Sequence, residues 1–387
     1  MDLTSSLLRI GARRPHVLLV PALGGTAARL AVERTLAHRE WPSATGPADA
    51  DLLVVAGSPG PTLGAVIDRT WTLIPAPRAR IEVTEAEGVT MALDAGAAQL
   101  ADREHQRAPE RTHPSGHHAA ADESHHDDQH PDADPRDGHH DTTTGEHDEG
   151  HGGAPGHSGH HGQDAHGGGG MGAMEMPGGL PMADLGEDRD GLTLDRLHVP
   201  LGPVLPDWPV GLVLRAVLQG DVIQEAEADV LDRAVTAEAD AFWDSTDRAA
   251  ARELDALARL LSVAGWVDAA SRSRRLRDDL LAGHPPERVT GPAADLVGRI
   301  RRSRTLRWLV RGIPSGTTDL TTLVEGRLDA VGAAFRPGGG ASVPFRGRVA
   351  DLPGMLVGAE LAAARLIVAA VDPDTEAAPV HGQAQHG

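Results

Sequence analysis

The chain has 387 residues, 40% of them hydrophobic, and a formal net charge of −20. This length and composition suffice for two apolar cores. Residues 101–170 contain 15 acidic residues and 4 arginines, so −11 of the net charge lies in that one stretch. The remainder is only mildly acidic, which argues against nucleic acid as the main partner.

Four residue types, Cys, Lys, Tyr and Asn, are absent from the sequence. Without Cys the chain can form no disulfide, no thiolate zinc site and no Cys-ligated iron–sulfur cluster. Without Lys it can form neither a P-loop nor a Schiff base. Nucleotide-driven chemistry of the P-loop type and cysteine-based redox chemistry are therefore excluded.

The N-terminal part alternates short apolar runs with helical patterns. Continuous apolar strands separated by helices predict a parallel sheet that is covered on both faces, with right-handed crossovers. We therefore predict a doubly wound α/β domain over residues 1–103. The predicted strands are 17–21, 51–56 and 79–84, and the predicted helices are 26–38, 62–73 and 89–101.

Two glycine-rich turns, 23–26 and 57–61, follow the first two predicted strands. In a doubly wound sheet this edge is the usual ligand site. Ordinary tight turns, with helix caps at Thr26 and Thr62, explain the same residues and are favoured over phosphate binding. The N-terminal part contains no GxGxxG motif, which would have favoured phosphate binding.

Residues 104–170 form a tract of His, Asp, Glu and Gly that holds 15 of the 21 histidines and no large aliphatic or aromatic residue. Such a composition predicts a disordered linker, taken here as residues 104–182. The tract is either a tether or a site for Ni²⁺ or Zn²⁺, since imidazoles and carboxylates suit these ions. The candidate metal ligands are His113, His117, His118, His125, His126, His130, His139, His140, His147, His151, His157, His160, His161 and His166.

The C-terminal part, residues 183–376, is predicted to be an α+β, mainly helical domain followed by a disordered tail, 377–387. A β region over 192–231 contains a hairpin that turns at Gly220 and Asp221. A last helix covers 352–364, and 365–371 is either a strand or its continuation. The other predicted elements are helices at 247–264, 266–282, 292–310 and 317–333, and a β-like piece at 342–349.

One predicted helix carries a concentration of arginines. A solvated face is the favoured interpretation, and the alternatives are a docking surface for an acidic partner or for the chain's own acidic tract. Trp208, Trp243, Trp266 and Trp308 are interpreted as core or interface anchors. The arginines are Arg299, Arg301, Arg302, Arg304, Arg307 and Arg311.

The N-terminal part resembles the small subunit of nickel–iron hydrogenases and the 20 kDa cluster-binding subunit of respiratory complex I. The matching pieces are the run DADLLVVAGSPGP, residues 49–61, and the Pro-x-Pro run before the third strand, residues 75–81. In that family, cysteines after the first strand and after the Pro-x-Pro strand bind a 4Fe–4S cluster. This chain has Gly25–Arg29 and Thr84–Glu85 at those places, so the resemblance implies the fold without the cluster.

The C-terminal part resembles the 49 kDa subunit of complex I and the large subunit of nickel–iron hydrogenases. The strongest piece is residues 198–230, where a Gly-Pro step and the hairpin match, and 344–346 and 371–373 resemble the family's Pro-Tyr-Arg and Asp-Pro pieces. Leu205 and Val210 stand at the places of two family histidines, one of which meets quinone with a Tyr. The Tyr and the cysteines that hold nickel and iron are absent.

These observations leave three hypotheses open. The first is a fused, cofactor-free structural or accessory subunit of a complex I-like membrane assembly, whose partners are the other subunits. The second is a protein that stores or delivers nickel or zinc through its histidines, and the third is an enzyme with an unrecognised pocket. With no basic n-region at the start and no uncharged apolar stretch of membrane length, we expect a cytoplasmic chain, free or peripheral on the inner membrane face.

Overall fold

A computed structural model describes residues 8–107, 184–187, 193–233, 242–336 and 347–376. The described residues before and after the histidine tract belong to one compact unit. Most of the predicted linker, the tail 377–387 and much of the β-like piece at 342–349 lie outside the described residues. None of the helices in the described ranges has the length and apolar character needed to cross a lipid bilayer.

The N-terminal half contains the predicted parallel sheet, with three strands in the order β1, β2, β3. Leu19 pairs with Val54, and Val54 pairs with Ile81, so the three strands run in register through the centre of the sheet. The predicted strand positions are confirmed to within one residue. The strands are β1 Val17–Pro21, β2 Leu52–Ala56 and β3 Ala79–Val83.

Helices cover both faces of this sheet. The side chains of successive strand residues point to opposite faces, so Leu52 and Val54 pack with α1 and α3, whereas Leu53 and Val55 pack with α2. Every residue of β2 is buried, as a strand covered on both faces requires. The helices are α1 Thr26–Arg39, α2 Pro61–Leu73, α3 Val89–Ala101 and a short α4 Arg103–Arg107.

A parallel bridge adds a further segment on the outer side of β1. Val17 pairs with Ser43 through hydrogen bonds to the backbone of Pro42 and Ala44, while β2 lies on the other side of β1. The chain therefore moves outward after β1 and then returns across it to form β2. In open α/β sheets the strand ends at such a reversal form the usual ligand crevice, which here lies at the carboxyl ends of β1 and β2.

The C-terminal half begins with an antiparallel sheet in the order β4, β5, β6, β7. The predicted hairpin at Gly220 and Asp221 joins β6 to β7, and β4 is an additional strand that the sequence pattern did not indicate. The strands are β4 Asp184–Glu187, β5 Thr193–Leu201, β6 Leu212–Gln219 and β7 Val222–Val230, with a two-residue pair β8 Pro314–Ser315 and β9 Thr318–Asp319.

Helices make up most of the remaining C-terminal half, as predicted. They pack around α5, whose residues 251–258 are all buried. One apolar core joins them to β6 and β7, and Leu23 from the N-terminal half belongs to the same core. The helices are α5 Ala249–Val263, α6 Val267–Leu281, α7 Pro286–Arg302, α8 Arg304–Val310, α9 Leu320–Ala334, α10 Leu352–Leu356 and α11 Leu361–Val371.

Two predicted helices are each divided. The single helix expected over 292–310 is α7 and α8, because extended Ser303 lies between them and its hydroxyl accepts a hydrogen bond from the Leu306 N–H at 3.2 Å. The helix expected over 352–364 is interrupted at Gly358, whose φ of 84° lies in the left-handed region that favours glycine. Residues 365–371 are helical, so this stretch continues the last helix and is not a strand.

Candidate functional site at the junction of the two halves

The crevice at the carboxyl ends of β1 and β2 is closed by direct backbone packing. A Cβ on Gly25 would lie 2.2 Å from the carbonyl oxygen of Ala56, and Gly57, with φ of 98°, lies directly against Gly25. Only glycine allows the two loops to approach this closely. These glycines therefore serve loop-to-loop packing and leave little room for a ligand between the loops.

The first loop is bound by a carboxylate from the C-terminal half. Glu376 Oε1 accepts a hydrogen bond from the Gly24 N–H at 3.1 Å, and the Thr26 hydroxyl donates to the two carboxylate oxygens at 3.0 and 3.1 Å. The site lies at the start of α1, where the helix dipole favours negative charge. The donors that an external anion would use here are taken by Glu376.

The second loop is bound in the same way by Asp232. Its carboxylate accepts hydrogen bonds from the backbone N–H groups of Thr62 at 3.1 Å and Leu63 at 2.8 Å, at the start of α2. The predicted side-chain caps at Thr26 and Thr62 are wrong, because glycines occupy both cap positions and offer no side chain. At α2 the Asp232 carboxylate supplies the acceptor for the first-turn N–H groups instead.

The residues at the cluster positions of the resembled family do not fit an iron–sulfur cluster. The first position begins at Gly25 and runs to Arg29, whose side chain is engaged in ion pairs with Glu33 and Asp255. The second position is Thr84–Glu85, and both residues are exposed. No thiolate is available at either place, and the first loop binds Glu376.

Four charged side chains, called here the junction network, connect α1 to α5 and α6: Arg29, Glu33, Asp255 and Arg277. Arg29 donates to Asp255 at 2.8 Å, and Arg277 donates to Asp255 at 2.5 Å. Glu33 forms ion pairs with Arg29 at 2.6 Å and with Arg277 at 2.7 Å. The side chains of Arg277 and Asp255 are 0% and 1% exposed, so this is a buried ionic contact between the halves.

Electrostatics keep the junction network ionised. Burial by itself raises the pKa of Glu33, but Arg29 and Arg277 outweigh it and lower that pKa to about 2. Asp255 is also penalised by burial, yet Arg29, Arg259 and Arg277 hold its pKa well below the ordinary value. The pKa of Arg29 rises because Asp255 and Glu33 more than offset its burial. All four groups therefore remain charged at neutral pH.

A second set of buried charges continues the network towards the end of α11. Arg259 lies 3.6 Å from Asp255 and donates to Asp372 at 2.5 Å, so it links the two sets. Arg327 pairs with Glu253 at 2.9 Å and lies 3.9 Å from Asp372. Burial raises the pKa of Glu253 in spite of Arg327.

The histidines proposed as metal ligands, His113 to His166, all lie outside the described residues. In the described ranges, no three His, Asp or Glu side chains lie together in a way that could hold a metal ion. Val210, at one of the family's histidine places, is buried in the apolar core, and Leu205, at the other, packs against that core. These two positions contribute packing in this chain.

Sequence reasoning missed the junction network entirely. Arg29 lies among apolar residues of α1, and Asp255 follows Leu254 in the fully buried stretch of α5. A charged residue at a position where its neighbours predict burial was the available signal, because buried charges require partners. The partners themselves could not be identified, since Arg29 and Asp255 are separated by 226 positions.

Comparison of the chain with models of protein families, with curated proteins and with solved structures finds no match in any of the three.

Proposed function

We propose that the chain is a cofactor-free structural or accessory subunit of a complex I-like membrane assembly, related to NADH–quinone oxidoreductases and membrane hydrogenases. The observation that supports this is the junction itself. Buried ion pairs join the two halves, and Glu376 binds the loop after β1, where the resembled small subunits hold part of a cluster. The chain contributes a rigid contact, and catalysis belongs to other subunits.

The resemblance implies that the junction corresponds to a contact between two subunits. In the resembled families the small and large subunits are separate chains that pack against each other. Here a small-subunit-like, doubly wound half and a large-subunit-like half are parts of one chain and one compact unit. Covalent fusion removes most of the entropy cost of bringing two subunits together, and the junction network then fixes their contact.

Purification from native membranes tests the proposal. Tagged full-length chain is isolated from gently solubilised membranes of the source organism, and co-purifying chains are identified by mass spectrometry. Proton-channel or cluster-binding subunits are expected in constant ratio to the chain. Asp255→Asn, which breaks the junction, should lose them, whereas Asp268→Asn, in an exposed pair with Arg299, should retain them.

Purification of the chain alone, in quantities that exceed any co-purifying subunit, would contradict the proposal. Equal recovery of partners with both variants would show that the junction has no role in assembly. The amounts of both variants in the solubilised membrane extract are measured first, so that poor folding of Asp255→Asn is not mistaken for a lost interaction.

A second candidate function is binding, storage or delivery of nickel or zinc by the histidine tract. This candidate is supported by the 14 histidines from His113 to His166, several of which are adjacent pairs and lie among carboxylates in the sequence. Neutral imidazole nitrogen is the ligand that these ions need, because protonated His has no free lone pair. Several ions of similar, modest affinity are expected, since this composition predicts no single preorganised site.

Calorimetry with Ni²⁺ and with Zn²⁺ tests this second candidate. Affinity should increase as pH rises from about 6 to 8, with release of protons, because unperturbed His titrates near ~6.5. Deletion of residues 104–170 should abolish most of the uptake. Uptake that is unchanged by the deletion would contradict the tract as the site, and one tight ion per chain would indicate a folded site elsewhere.

A further inference from the structure

An unusual surface lies in the part of the chain between Asp295 and Asp319. This stretch contains six arginines and no acidic residue, in a chain whose net charge is −20. It covers the end of α7, all of α8 and the loop that follows. The concentration of positive charge is therefore local and opposite in sign to the rest of the molecule.

The helix α8 divides into a buried side and an exposed side. Leu306 and Val310 are buried in the apolar core. Arg304, Arg307 and Trp308 follow the spacing of one helical face, and Arg311 follows the helix directly with extended backbone. All four side chains are exposed, and they are called here the arginine–tryptophan surface. Trp308 is 76% exposed, which is exceptional for the largest apolar side chain.

The arginines of this surface differ from Arg299 and Arg301 in their pairing. Arg299 pairs with Asp268, and Arg301 pairs with Glu325 and Asp329. Among the residues that the structure describes, no carboxylate forms an ion pair with Arg304, Arg307 or Arg311. Three guanidinium groups and one indole are thus presented together to an external partner.

We infer that the arginine–tryptophan surface binds the anionic phospholipid headgroups of a bilayer. Guanidinium groups pair with phosphate in a forked geometry, and Arg304 and Arg307 lie on the same helical face as Trp308. Indole prefers the boundary between water and lipid, where its ring meets apolar chains and its N–H meets polar groups. A short helix with one apolar residue between cations is suited to contact with a headgroup layer and not to insertion.

Other occupants explain less of the surface. The chain's own acidic tract matches the charge, but residues 104–170 contain no aromatic or large aliphatic side chain that could cover Trp308. An acidic protein would match the charge too and remains an outcome of the test. The negative charge elsewhere in the chain does not prevent approach to a membrane, because salt screens charges beyond about 8 Å.

Vesicle sedimentation tests the inference with purified full-length protein. Vesicles contain either phosphatidylcholine alone or equal parts of phosphatidylcholine and phosphatidylglycerol. Binding is expected only to the anionic vesicles. The triple variant Arg304→Gln, Arg307→Gln, Arg311→Gln should reduce the partition coefficient about 100-fold, at about fivefold for each arginine, and Trp308→Ala should reduce it about tenfold.

Matched controls separate this surface from general charge and exposure. Arg13→Gln, Arg69→Gln, Arg275→Gln removes three other exposed arginines, and Met91→Ala removes a side chain that is also 76% exposed. Both controls should bind anionic vesicles like the unmodified protein. In addition, brominated phosphatidylglycerol should quench a fluorescence component that Trp308→Ala lacks.

Several results would overturn the inference: equal binding to both kinds of vesicle, no binding to either, or equal loss in the triple variant and its control. Unchanged binding by Trp308→Ala would overturn it as well. Binding of polyglutamate, without binding of vesicles, would assign the surface to an acidic protein. The inference does not rest on the proposed function, since purified protein and synthetic vesicles suffice to test it.

Discussion

The molecule uses arginine in two opposite ways, at the junction network and at the arginine–tryptophan surface. Arg29 and Arg277 lie between the two halves, and they pair with two and three carboxylates respectively. Arg304 and Arg307 are exposed and form no ion pair with the described residues. The buried cations must be compensated inside the protein, because desolvation of an unpaired charge costs several kcal/mol, whereas water compensates the exposed ones.

The two regions differ in whether the carboxylate partners of their arginines belong to the fold. The partners of the junction arginines are part of the same fold, so that region contributes to stability and to the contact between the halves. The surface arginines form no ion pair with the described residues, so that region is available for binding. Four predictions, from the largest expected effect to the smallest, test this difference.

The largest effect is expected from Asp255→Asn. The substitution leaves Arg29 and Arg277 without their shared buried carboxylate and should lower the free energy of unfolding by about 3–5 kcal/mol. Asp268→Asn removes the same kind of partner from exposed Arg299 and should cost at most about 1 kcal/mol. Urea denaturation of both variants measures the two costs, and equal costs would remove the distinction between the regions.

Glu33→Gln should change the pH dependence of stability. Because the pKa of Glu33 is lowered from 4.5 to about 2 in the fold, its ionised form stabilises the protein above pH 4.5. This contribution, of about 3 kcal/mol, is lost as pH falls towards 2. The unmodified protein should therefore lose more stability between pH 5 and pH 2 than Glu33→Gln does.

Urea denaturation at a series of pH values measures that difference. Glu325→Gln is the matched control, because Glu325 pairs with Arg301 at the exposed surface. The control should follow the pH profile of the unmodified protein. Parallel profiles for the unmodified protein and Glu33→Gln would contradict a strongly lowered pKa.

A smaller effect is expected from Asp232→Ala at the rim of the junction. Loss of the carboxylate that accepts from the Thr62 and Leu63 N–H groups should cost about 1–2 kcal/mol, as for other helix caps. Asp295→Ala, which removes an exposed carboxylate from α7, should change stability by less than about 0.5 kcal/mol. Thermal melts compare the two, and a neutral Asp232→Ala would show that the cap does not hold the halves together.

The smallest effect on stability is expected from the triple variant Arg304→Gln, Arg307→Gln, Arg311→Gln. Each substitution should change the free energy of unfolding by less than about 0.5 kcal/mol, because the side chains are exposed and form no ion pair with the described residues. Urea denaturation measures the sum. A loss of several kcal/mol would mean that these arginines have partners within the fold, and the contrast with the junction would fail.

The parallel sheet could be predicted from the sequence because its signal is local. The predicted strands at 17–21, 51–56 and 79–84 differ from the observed strands by at most one residue. β2 is apolar throughout because helices cover both of its faces, whereas in β3 buried apolar residues alternate with Arg80 and exposed Glu82. The division at Ser303 was missed, because it depends on one backbone conformation within a continuous helical pattern. The division at Gly358 was missed for the same reason.

The sequence by itself determined the helical and strand regions, the absence of thiolate chemistry and the location of the histidine tract. These properties depend on composition and on short periodic patterns. Only the tertiary structure decided that Asp232 and Glu376 bind the glycine loops, and that Asp255 lies between Arg29 and Arg277. Each of these contacts joins residues at least 22 positions apart, beyond the reach of any local sequence pattern, so the fold alone brings the partners together.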